Sequence, residues 1–219
     1  MLKENILIRK IRDGKVFSKE DDVAVEYSME IPFNDGSKVT VTCTPSDLEE
    51  MVLARKFLAG DSDRKELQQY LNAVKTAKTL KHVELEEIFF IAKDSFENPG
   101  PLFTETGCAH SCALIHQGKV VCCIEDIGRH NALDKVIGYA IRQRIPMCEC
   151  YVFTSGRISG DYLQKVIDAG FFMVVSRAAV TEKAVNLAKE SNITILGFIR
   201  KNTGNIYNEG AVKIRVSNE

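Results

Sequence analysis

The sequence predicts an α/β fold with a smaller, β-rich α+β part at its N-terminus. From residue 113 onward, short apolar runs alternate with segments of helical periodicity, which indicates a mostly parallel sheet with covering helices. Before residue 45, alternating segments are separated by turn signals. The helix breaker Asn98-Pro99-Gly100-Pro101 lies between the two regions. We therefore predict one domain over residues 1–100 and a second over residues 101–219.

The first 45 residues are typical of hairpins. Asp13-Gly14 and Asn34-Asp35-Gly36 are turn signals, and the alternating run 24–33 is a predicted strand. The run 38–43 alternates in the same way and is predicted to pair with it. This region therefore forms a small sheet.

A helix is predicted after this sheet. Thr44-Pro45-Ser46-Asp47 is typical of a helix start, with Ser46 as the cap and Glu49 as its capping-box partner. Gly60 ends this helix, because glycine tolerates the left-handed backbone found at helix ends. Residues 61–82 are polar and prone to form a further helix.

The second half contains the alternating elements of the main sheet. The turn Gln117-Gly118 separates the first two strands, and a hairpin around Asn202-Thr203-Gly204-Asn205 ends the series. The predicted strands are 113–116, 119–125, 149–154, 171–176 and 193–199, and the predicted helices are 130–143, 160–169 and 181–190.

Composition limits the class of protein. The 219 residues carry a net charge of −1, with 27% charged residues, so bulk charge gives no case for nucleic-acid or anionic-membrane binding. The N-terminus has no apolar core of signal-peptide length, and no apolar run is long enough to cross a bilayer. We expect a cytoplasmic protein. Its seven cysteines are an odd number, and in a reducing compartment they are typical of buried residues, reactive thiols or metal ligands.

The run Glu125–Lys135 is the most informative part of the chain. It follows an apolar strand and begins a helix, and helix N-termini at strand ends are common anion sites. We expect Arg129 to bind phosphate, His130 and Asn131 to orient the ligand, and Asp126 to hold His130 or an arginine. Alternatively, Asn131 is a helix cap, His130 is a buried structural histidine, and Asp134 with Lys135 forms a pair on the helix surface. The candidate ligand-binding residues are Asp126, Gly128, Arg129, His130 and Asn131.

A second junction of this kind follows the next strand. The run 152–160 supplies hydroxyls, glycines and one arginine, which together can hold a phosphate. The alternative is a loop in which Ser159 caps a helix. Its candidate residues are Ser155, Gly156, Arg157 and Ser159.

Thiols and an imidazole are concentrated in Thr104–Cys112. His110 lies between Cys108 and Cys112, and a histidine can lower the pKa of a neighbouring thiol and so increase its reactivity. The alternative is a glycine turn with buried small residues. We select Cys108, Cys112 and His110 as candidate catalytic residues, without assigning His110 a proton-transfer role.

A zinc site is disfavoured by the pattern of cysteines. Zinc deaminases combine a His-x-Glu run with a later Pro-Cys-x-x-Cys run. This chain has His110-Ser111-Cys112, which lacks the glutamate, and Pro146-Met147-Cys148-Glu149-Cys150, which has one residue between the cysteines. We therefore predict no metal. The adjacent Cys122 and Cys123 are interpreted as core residues on opposite faces of a strand.

These runs resemble the FdhD family, the formate dehydrogenase accessory sulfurtransferases. The resemblance rests on Thr106-Gly107-x-x-His110, the run from Glu125 to Lys135 with Gly138, Ser155-Gly156-Arg157-Ile158-Ser159, and Gly197-Phe198-Ile199-Arg200. Weaker similarity occurs in Ala24-Val25-Glu26 and in Cys43–Glu50. The resemblance covers most of the chain.

The resemblance implies both a fold and an activity. The fold is a cytidine-deaminase-like three-layer α/β domain without zinc chemistry, plus a smaller N-terminal domain. The activity is delivery of sulfur from a cysteine desulfurase to molybdenum bis(molybdopterin guanine dinucleotide) before this cofactor enters formate dehydrogenase or a related molybdenum oxidoreductase. The family binds the guanine dinucleotide as a homodimer, so GDP is a surrogate ligand. The matching C-terminal contact stretch is Phe198, Ile199, Arg200, Lys201, Asn202 and Thr203.

The chain departs from the family pattern in its cysteines. Members that transfer sulfur carry a Cys-Gly-x-Cys-Gly type run before the Thr-Gly-x-x-His run. The interval from Gly60 to Phe103 contains no cysteine. Sulfur transfer through Cys108 or Cys112, a cofactor-binding chaperone without transfer, and a zinc-dependent deaminase-like hydrolase therefore remain as three hypotheses.

Overall fold

The computed structural model describes residues 1–216, except for the side chains of residues 64 and 66. The strands in this range are β1 (Lys3–Arg12), β2 (Lys15–Ala24), β3 (Tyr27–Pro32), β4 (Lys38–Cys43), β5 (His82–Glu84), β6 (His110–His116), β7 (Lys119–Asp126), β8 (Cys150–Thr154), β9 (Met173–Ser176), β10 (Thr194–Arg200), β11 (Thr203–Asn208) and β12 (Lys213–Arg215). The α-helices are α1 (Leu48–Leu58), α2 (Arg64–Thr76), α3 (Leu85–Glu97), α4 (Pro101–Thr106), α5 (Arg129–Arg142), α6 (Gly160–Ala169) and α7 (Glu182–Glu190).

The main sheet has six strands in the order β11-β10-β9-β8-β6-β7. Only the pairs β8–β9 and β9–β10 are parallel, whereas β6 is antiparallel to both of its neighbours and β11 is antiparallel to β10. The prediction of a mostly parallel sheet was therefore wrong. The turns Gln117-Gly118 and Lys201-Asn202 are too short for anything but hairpins, and a hairpin joins antiparallel strands.

Helices cover both faces of this sheet. One face carries α1, α2, α5, α6 and α7, whose apolar side chains pack with Leu114, Val152 and Val174. The other face carries α3, which packs against Ile115, Phe153 and other strand residues. The molecule is therefore an α/β protein of three layers, as predicted. The cytidine-deaminase-like topology stays a prediction.

The N-terminal part consists of two separate hairpins. β3 and β4 share a small apolar cluster with α1, formed by Ile31, Val41, Cys43 and Met51. β1 and β2 form a second two-stranded sheet. Because α1 and α2 contribute to the core on one face and α3 to the core on the other, the helices of the first 100 residues pack on the main sheet. The domain division at residue 100 stays a prediction.

Several local predictions differ from the structure. The N-cap of α1 is Asp47 rather than Ser46, with a left-handed φ of 49° and no side-chain capping bond within the described chain, so the predicted capping box with Glu49 is absent there. β5, α3, α4 and β12 were not predicted. None of the helices within residues 1–216 combines the length and apolarity that a membrane span needs.

Candidate functional site

Both predicted junctions lie at one edge of the main sheet. The parallel strands β8, β9 and β10 end at this edge, and β7 ends there because His110 at the start of β6 pairs with Asp126. Cys112 of β6 pairs with Thr154 at the end of β8. The topology thus brings the Asp126 and Ser155 runs together with the residues that follow β9 and β10.

Asp126 is the centre of a buried network that we call the latch: Thr44, Asp126, Asn131 and Lys135. The Asp126 carboxylate lies 2.6 Å from Lys135 Nζ and accepts hydrogen bonds from the Thr44 N–H (3.1 Å) and hydroxyl (3.0 Å). Its other oxygen accepts from the Gly128 N–H at 2.8 Å and from Asn131 Nδ2 at 3.0 Å. Both Asp126 and Lys135 are fully buried. The latch joins β7, α5 and the segment after β4.

The latch changes the predicted roles of three residues. Asn131 Nδ2 also donates to the Thr42 carbonyl at 2.8 Å, so its amide serves the fold rather than orienting a ligand. Among the described residues, Asp126 holds Lys135 and not His130 or an arginine. Asp134 and Lys135 do not pair on the helix surface, because both are fully buried with different partners.

Asp134 forms a second buried ion cluster on α5. One carboxylate oxygen lies 2.5 Å from Arg55 Nε and the other lies 2.5 Å from Lys165 Nζ. These contacts connect α5 to α1 and α6. The charges that made the Glu125–Lys135 run informative are therefore largely structural.

Arg129 is the part of this run that faces the neighbouring junction. Its Nη2 donates to Ser159 Oγ at 3.2 Å, and its Nε is buried without a hydrogen-bond partner among residues 1–216. A Cβ on Gly156 would lie only 2.8 Å from the Arg129 Cβ, so glycine at this position makes room for the arginine. Arg157, in the same loop, is exposed.

The charges of three arginines at this edge of the sheet act on His110, and we call Arg129, Arg157 and Arg177 the guanidinium cluster. Burial, followed by the positive charges of these three arginines, lowers the pKa of the half-buried His110, and the Asp126 carboxylate opposes this shift. Positive charge in a partly desolvated place attracts anions. Sequence reasoning missed Arg177, although it follows β9 as Arg157 follows β8, and this shared position at a strand end was the available signal.

His130 lies on the α6 side of the site. Its Nε2 is 3.3 Å from an Asp161 carboxylate oxygen, and its ring meets Tyr162 edge to face. Burial lowers the pKa of His130, the nearby Lys165 charge lowers it further, and Asp161 opposes this shift. These contacts are consistent with the structural alternative for His130.

A pocket of about 110 Å³ lies beside the cluster, between α3, α4 and the sheet. Arg177, Ser155 and Ser111 are among its lining residues, and the Ser155 hydroxyl accepts a hydrogen bond from the Ser111 N–H at 2.9 Å. Glu125 also lines it, with its carboxylate accepting from the N–H groups of Leu102 and Phe103 at the start of α4. Ser155 and Arg177 therefore border both this pocket and the edge of the sheet.

The two candidate thiols differ in exposure. Cys108 is exposed, directly after the α4 end at Gly107. Cys112 is fully buried, its sulfur lies 3.8 Å from the Tyr162 hydroxyl, and burial raises its pKa strongly. A buried, protonated thiol is a poor nucleophile, so the structure does not favour Cys112 as a sulfur carrier.

Cys122 and Cys123 were both interpreted as core residues, and this is correct only for Cys122. Cys122 packs against the core on the α5 face. Cys123 is exposed and lines the pocket beside the cluster. Desolvation, followed by the charges of Glu125 and Asp94, raises the pKa of the Cys123 thiol to about 11. At neutral pH this thiol is protonated.

The predicted contact stretch Phe198–Thr203 forms the tip of the β10–β11 hairpin. The Phe198 N–H donates to the Ala178 carbonyl at 2.9 Å, which connects the stretch to the loop that carries Arg177. Phe198 and Lys201 both have positive φ, at 54° and 45°. Lys201 Nζ lies 6.0 Å from the centre of the Phe96 ring on α3. Phe198, Arg200, Lys201, Asn202 and Thr203 are exposed, whereas Ile199 is buried.

The part of the chain that the structure describes contains no candidate metal site. Within it, no group of three or more histidine, cysteine, aspartate or glutamate side chains lies close enough to hold an ion. Cys148 lies in a short 3₁₀ turn before β8, and the buried Cys150 sulfur donates to the Pro146 carbonyl at 3.5 Å.

Comparison with known proteins decides the family. Residues 55–214 match the sequence model of the FdhD/NarQ family. The chain belongs to the FdhD/NarQ family. A sulfur carrier protein FdhD from Bacillus pumilus is 30% identical, covering 94% of this chain and 95% of the relative. The protein of the same name from Halalkalibacterium halodurans is 32% identical, with 91% of each chain covered.

A solved structure supports the same assignment to FdhD/NarQ. A crystal structure of a protein assigned as a formate dehydrogenase accessory protein, from Desulfotalea psychrophila, matches with a TM-score of 0.81 at 26% identity, covering 95% of this chain and 97% of that one. The Bacillus pumilus alignment spans 251 positions, more than the 219 residues of this chain, so this FdhD relative contains segments that have no counterpart here.

Proposed function

We propose that this chain is an FdhD-type accessory protein for formate dehydrogenase or a related molybdenum oxidoreductase. Its cargo is molybdenum bis(molybdopterin guanine dinucleotide), held through the phosphates of the guanine dinucleotide. The observation that carries the proposal is the guanidinium cluster at the sheet edge, with the buried Nε of Arg129, which has no hydrogen-bond partner among the described residues. The names of the relatives, sulfur carrier proteins and a formate dehydrogenase accessory protein, support it.

The residues present fit an anionic cargo. A guanidinium group offers a planar set of N–H donors that matches phosphate oxygens, and three such groups at one edge of the sheet favour a diphosphate. The Arg129 Nε needs an acceptor, since leaving a buried donor unpaired costs about 1–3 kcal/mol. The exposed stretch from Phe198 to Thr203 supplies an aromatic ring and two cations to the guanine end.

Sulfur delivery, the second half of the proposal, assigns the carrier role to Cys108. A cysteine desulfurase presents a persulfide, the Cys108 thiolate attacks its outer sulfur, the S–S bond of the donor breaks, and the desulfurase thiolate leaves. The transfer is redox-neutral and leaves a persulfide on Cys108. His110, two residues away, is under the influence of the charges of the guanidinium cluster, so it is assigned to the binding of anions.

A second candidate is a cofactor-binding chaperone without sulfur transfer. The specific observation in its favour is the cysteine pattern: the interval from Gly60 to Phe103 has no cysteine, and Cys112 is buried. In both forms of the proposal the protein works in the cytoplasm as a homodimer.

Calorimetric titration of the reduced protein with GDP, with ADP as the control ligand, tests cargo binding. We expect GDP to bind and ADP to bind more weakly. An absence of GDP binding would remove the cargo hypothesis. Metal analysis of the same sample tests the deaminase-like alternative, which requires stoichiometric zinc.

Mass spectrometry after incubation with a desulfurase and cysteine separates the carrier from the chaperone. We expect one added sulfur atom on the wild type and on Cys112→Ala, and none on Cys108→Ala. Circular dichroism of both variants checks that they fold. Wild-type protein that gains no sulfur while it still binds GDP would support the chaperone.

A further inference from the structure

The loops that follow β8 and β9 carry two of the three arginines of the guanidinium cluster. Arg157 lies in the loop after β8, and Arg177 directly follows the last residue of β9. The two strands run parallel, and Thr154 lies opposite Ser176 at their ends. Loops are more mobile than the strands they follow unless other contacts hold them. The distance between Arg157 and Arg177 therefore depends on what joins the two loops.

The Ser176 hydroxyl joins these loops. It donates to the Gly156 carbonyl of the first loop at 2.7 Å, and it accepts from the Ala178 N–H of the second loop at 2.8 Å. Ser176 is fully buried. Gly156 directly precedes Arg157, and Ala178 directly follows the other arginine. One buried side chain is therefore bonded to the backbone beside each of the two arginines.

Backbone hydrogen bonds join the loops on either side of the Ser176 hydroxyl. The Arg177 N–H donates to the Thr154 carbonyl at 3.0 Å, and the Ile158 N–H donates to the Ala179 carbonyl at 3.0 Å. These bonds do not depend on side chains. Ser176 is therefore a position at which a single substitution loosens the contact between the loops without removing an arginine.

We propose that Ser176 is a positioning residue whose hydroxyl sets the spacing of Arg157 and Arg177, so that their guanidinium groups bind the two phosphates of one diphosphate. The two phosphates share one bridging oxygen, so they require a fixed spacing of the arginines, whereas either arginine alone can bind a single phosphate. Because Ser176 is fully buried, its hydroxyl acts through the two loops and not on the ligand. This inference rests on the anionic cargo of the proposed function and names a residue that makes the site selective for a diphosphate.

Thr194 provides a matched control, because its hydroxyl makes the same kind of contact elsewhere. At the start of β10, its Oγ1 donates to the Val212 carbonyl at 2.6 Å and accepts from the Gly210 N–H at 2.9 Å. Thr194 is also fully buried, and it lies at the opposite end of the parallel strands from the guanidinium cluster. Ser176→Ala and Thr194→Val each remove a buried hydroxyl that bridges two backbone groups. Both should therefore lower the midpoint of chemical denaturation.

The ligand-free protein tests the position of the arginines. In Ser176→Ala, the loosened loop holds the Arg177 charge less firmly near His110, so the pKa of His110 should rise in an NMR titration. Thr194→Val should leave this pKa unchanged. Ser176→Cys, whose thiol bonds more weakly than a hydroxyl, should give a smaller rise and replaces Ser176→Ala if that variant does not fold. An unchanged His110 pKa in the Ser176 variants, or an equal rise in Thr194→Val, would overturn the proposal.

Calorimetry with inorganic pyrophosphate and with orthophosphate tests the selectivity. We expect Ser176→Ala to bind pyrophosphate about three- to tenfold more weakly than the wild type, the usual value of one hydrogen bond, with little change for orthophosphate. Thr194→Val should bind pyrophosphate like the wild type. Unchanged pyrophosphate affinity in Ser176→Ala, or an equal loss for both anions, would overturn the role of Ser176.

A GDP titration of the wild type separates this inference from the proposed function. Protein that gives the expected His110 and pyrophosphate results but does not bind GDP would keep the role of Ser176 and overturn only the guanine cargo. Protein that binds GDP equally well with and without the Ser176 hydroxyl would keep the cargo and overturn the role of Ser176.

Discussion

The junction after β7 and the junction after β8 bring similar polar runs to the same edge of the sheet, but they use their charges differently. After β7, the polar atoms of the latch bond mainly to one another. The Asp126 carboxylate alone accepts from Thr44, Gly128, Asn131 and Lys135. After β8, Arg157 is exposed, and Arg129 of the first junction donates to Ser159, while its buried Nε has no partner in the part of the chain that the structure describes. The first junction fixes the geometry and the second presents the charge.

This difference shows why a sequence run rich in polar residues does not by itself distinguish a binding site from a structural ion cluster. A buried charge stays ionised only if partners replace its water shell, so structural ion clusters need as many polar residues as binding sites do. Burial separates the two cases, because a binding residue must keep some of its hydrogen-bonding capacity free. Arg129 meets that condition and Asp126 does not.

Removing one member of the latch should have the largest effect. Lys135→Met leaves the Asp126 carboxylate buried without its cation, so we expect the free energy of unfolding to fall by about 3–5 kcal/mol. Chemical denaturation measures this free energy of unfolding. The matched control is Lys189→Met in the last turn of α7, where the lysine is exposed, with a change below about 0.5 kcal/mol.

The double variant Asp126→Asn with Lys135→Met sharpens this test. Without the carboxylate no uncompensated charge remains, so we expect it to be more stable than Lys135→Met alone. Equal stability of Lys135→Met and the exposed control would contradict the structural role of the latch.

Arginine variants of the guanidinium cluster should lose affinity for GDP while they keep most of their stability. Arg129→Ala and Arg177→Ala are each expected to weaken GDP binding by about 1.5–3 kcal/mol, the usual value of a charge-assisted hydrogen bond. Their free energies of unfolding should change much less than that of Lys135→Met. Calorimetry measures the affinity, and Arg12→Ala, which removes an exposed arginine far along the hairpin, is the control. Unchanged affinity in Arg129→Ala would make Arg129 a structural residue.

Much of the fold could be predicted from local sequence. Every predicted helix after residue 113 is present, and the bounds of α6 agree with the prediction. The strand order could not be read this way, because β8 pairs with β6 instead of with β7, which precedes it in the chain more closely. Pairing of distant strands depends on packing across the whole sheet. Helix α3 escaped prediction because its run after His82 has no clear start signal.

The candidate site was harder to predict than the fold. Arg129 and Arg157 were found because they follow strands in polar runs, and Arg177 was missed because its run, Ser176-Arg177-Ala178, looks unremarkable in sequence. The structural roles of Asn131, Asp134 and Lys135 could not be predicted either. Their partners Thr42, Arg55, Thr44 and Lys165 are distant in sequence, so only the folded chain shows that these side chains are satisfied.

The smallest expected effect is a shift in the pKa of a histidine, and this shift compares the two junctions directly. His110 has its pKa lowered by burial and by all three arginines of the cluster, whereas for His130 the main charge is that of Lys165. We therefore expect Arg177→Ala to raise the pKa of His110 in an NMR titration and to leave that of His130 in place.

The sign of the pH dependence follows from the same shift. Because the pKa of His110 is lower in the folded chain than in the unfolded chain, the unfolded chain takes up this proton first as the pH falls. The contribution of His110 to stability is therefore lost as the pH falls through the ordinary histidine range, and it levels off below the folded pKa. A bound phosphate would offset the arginine charges, so GDP should raise the pKa of His110 in the wild type. If GDP binds without moving the His110 resonance, then the nucleotide lies away from the cluster.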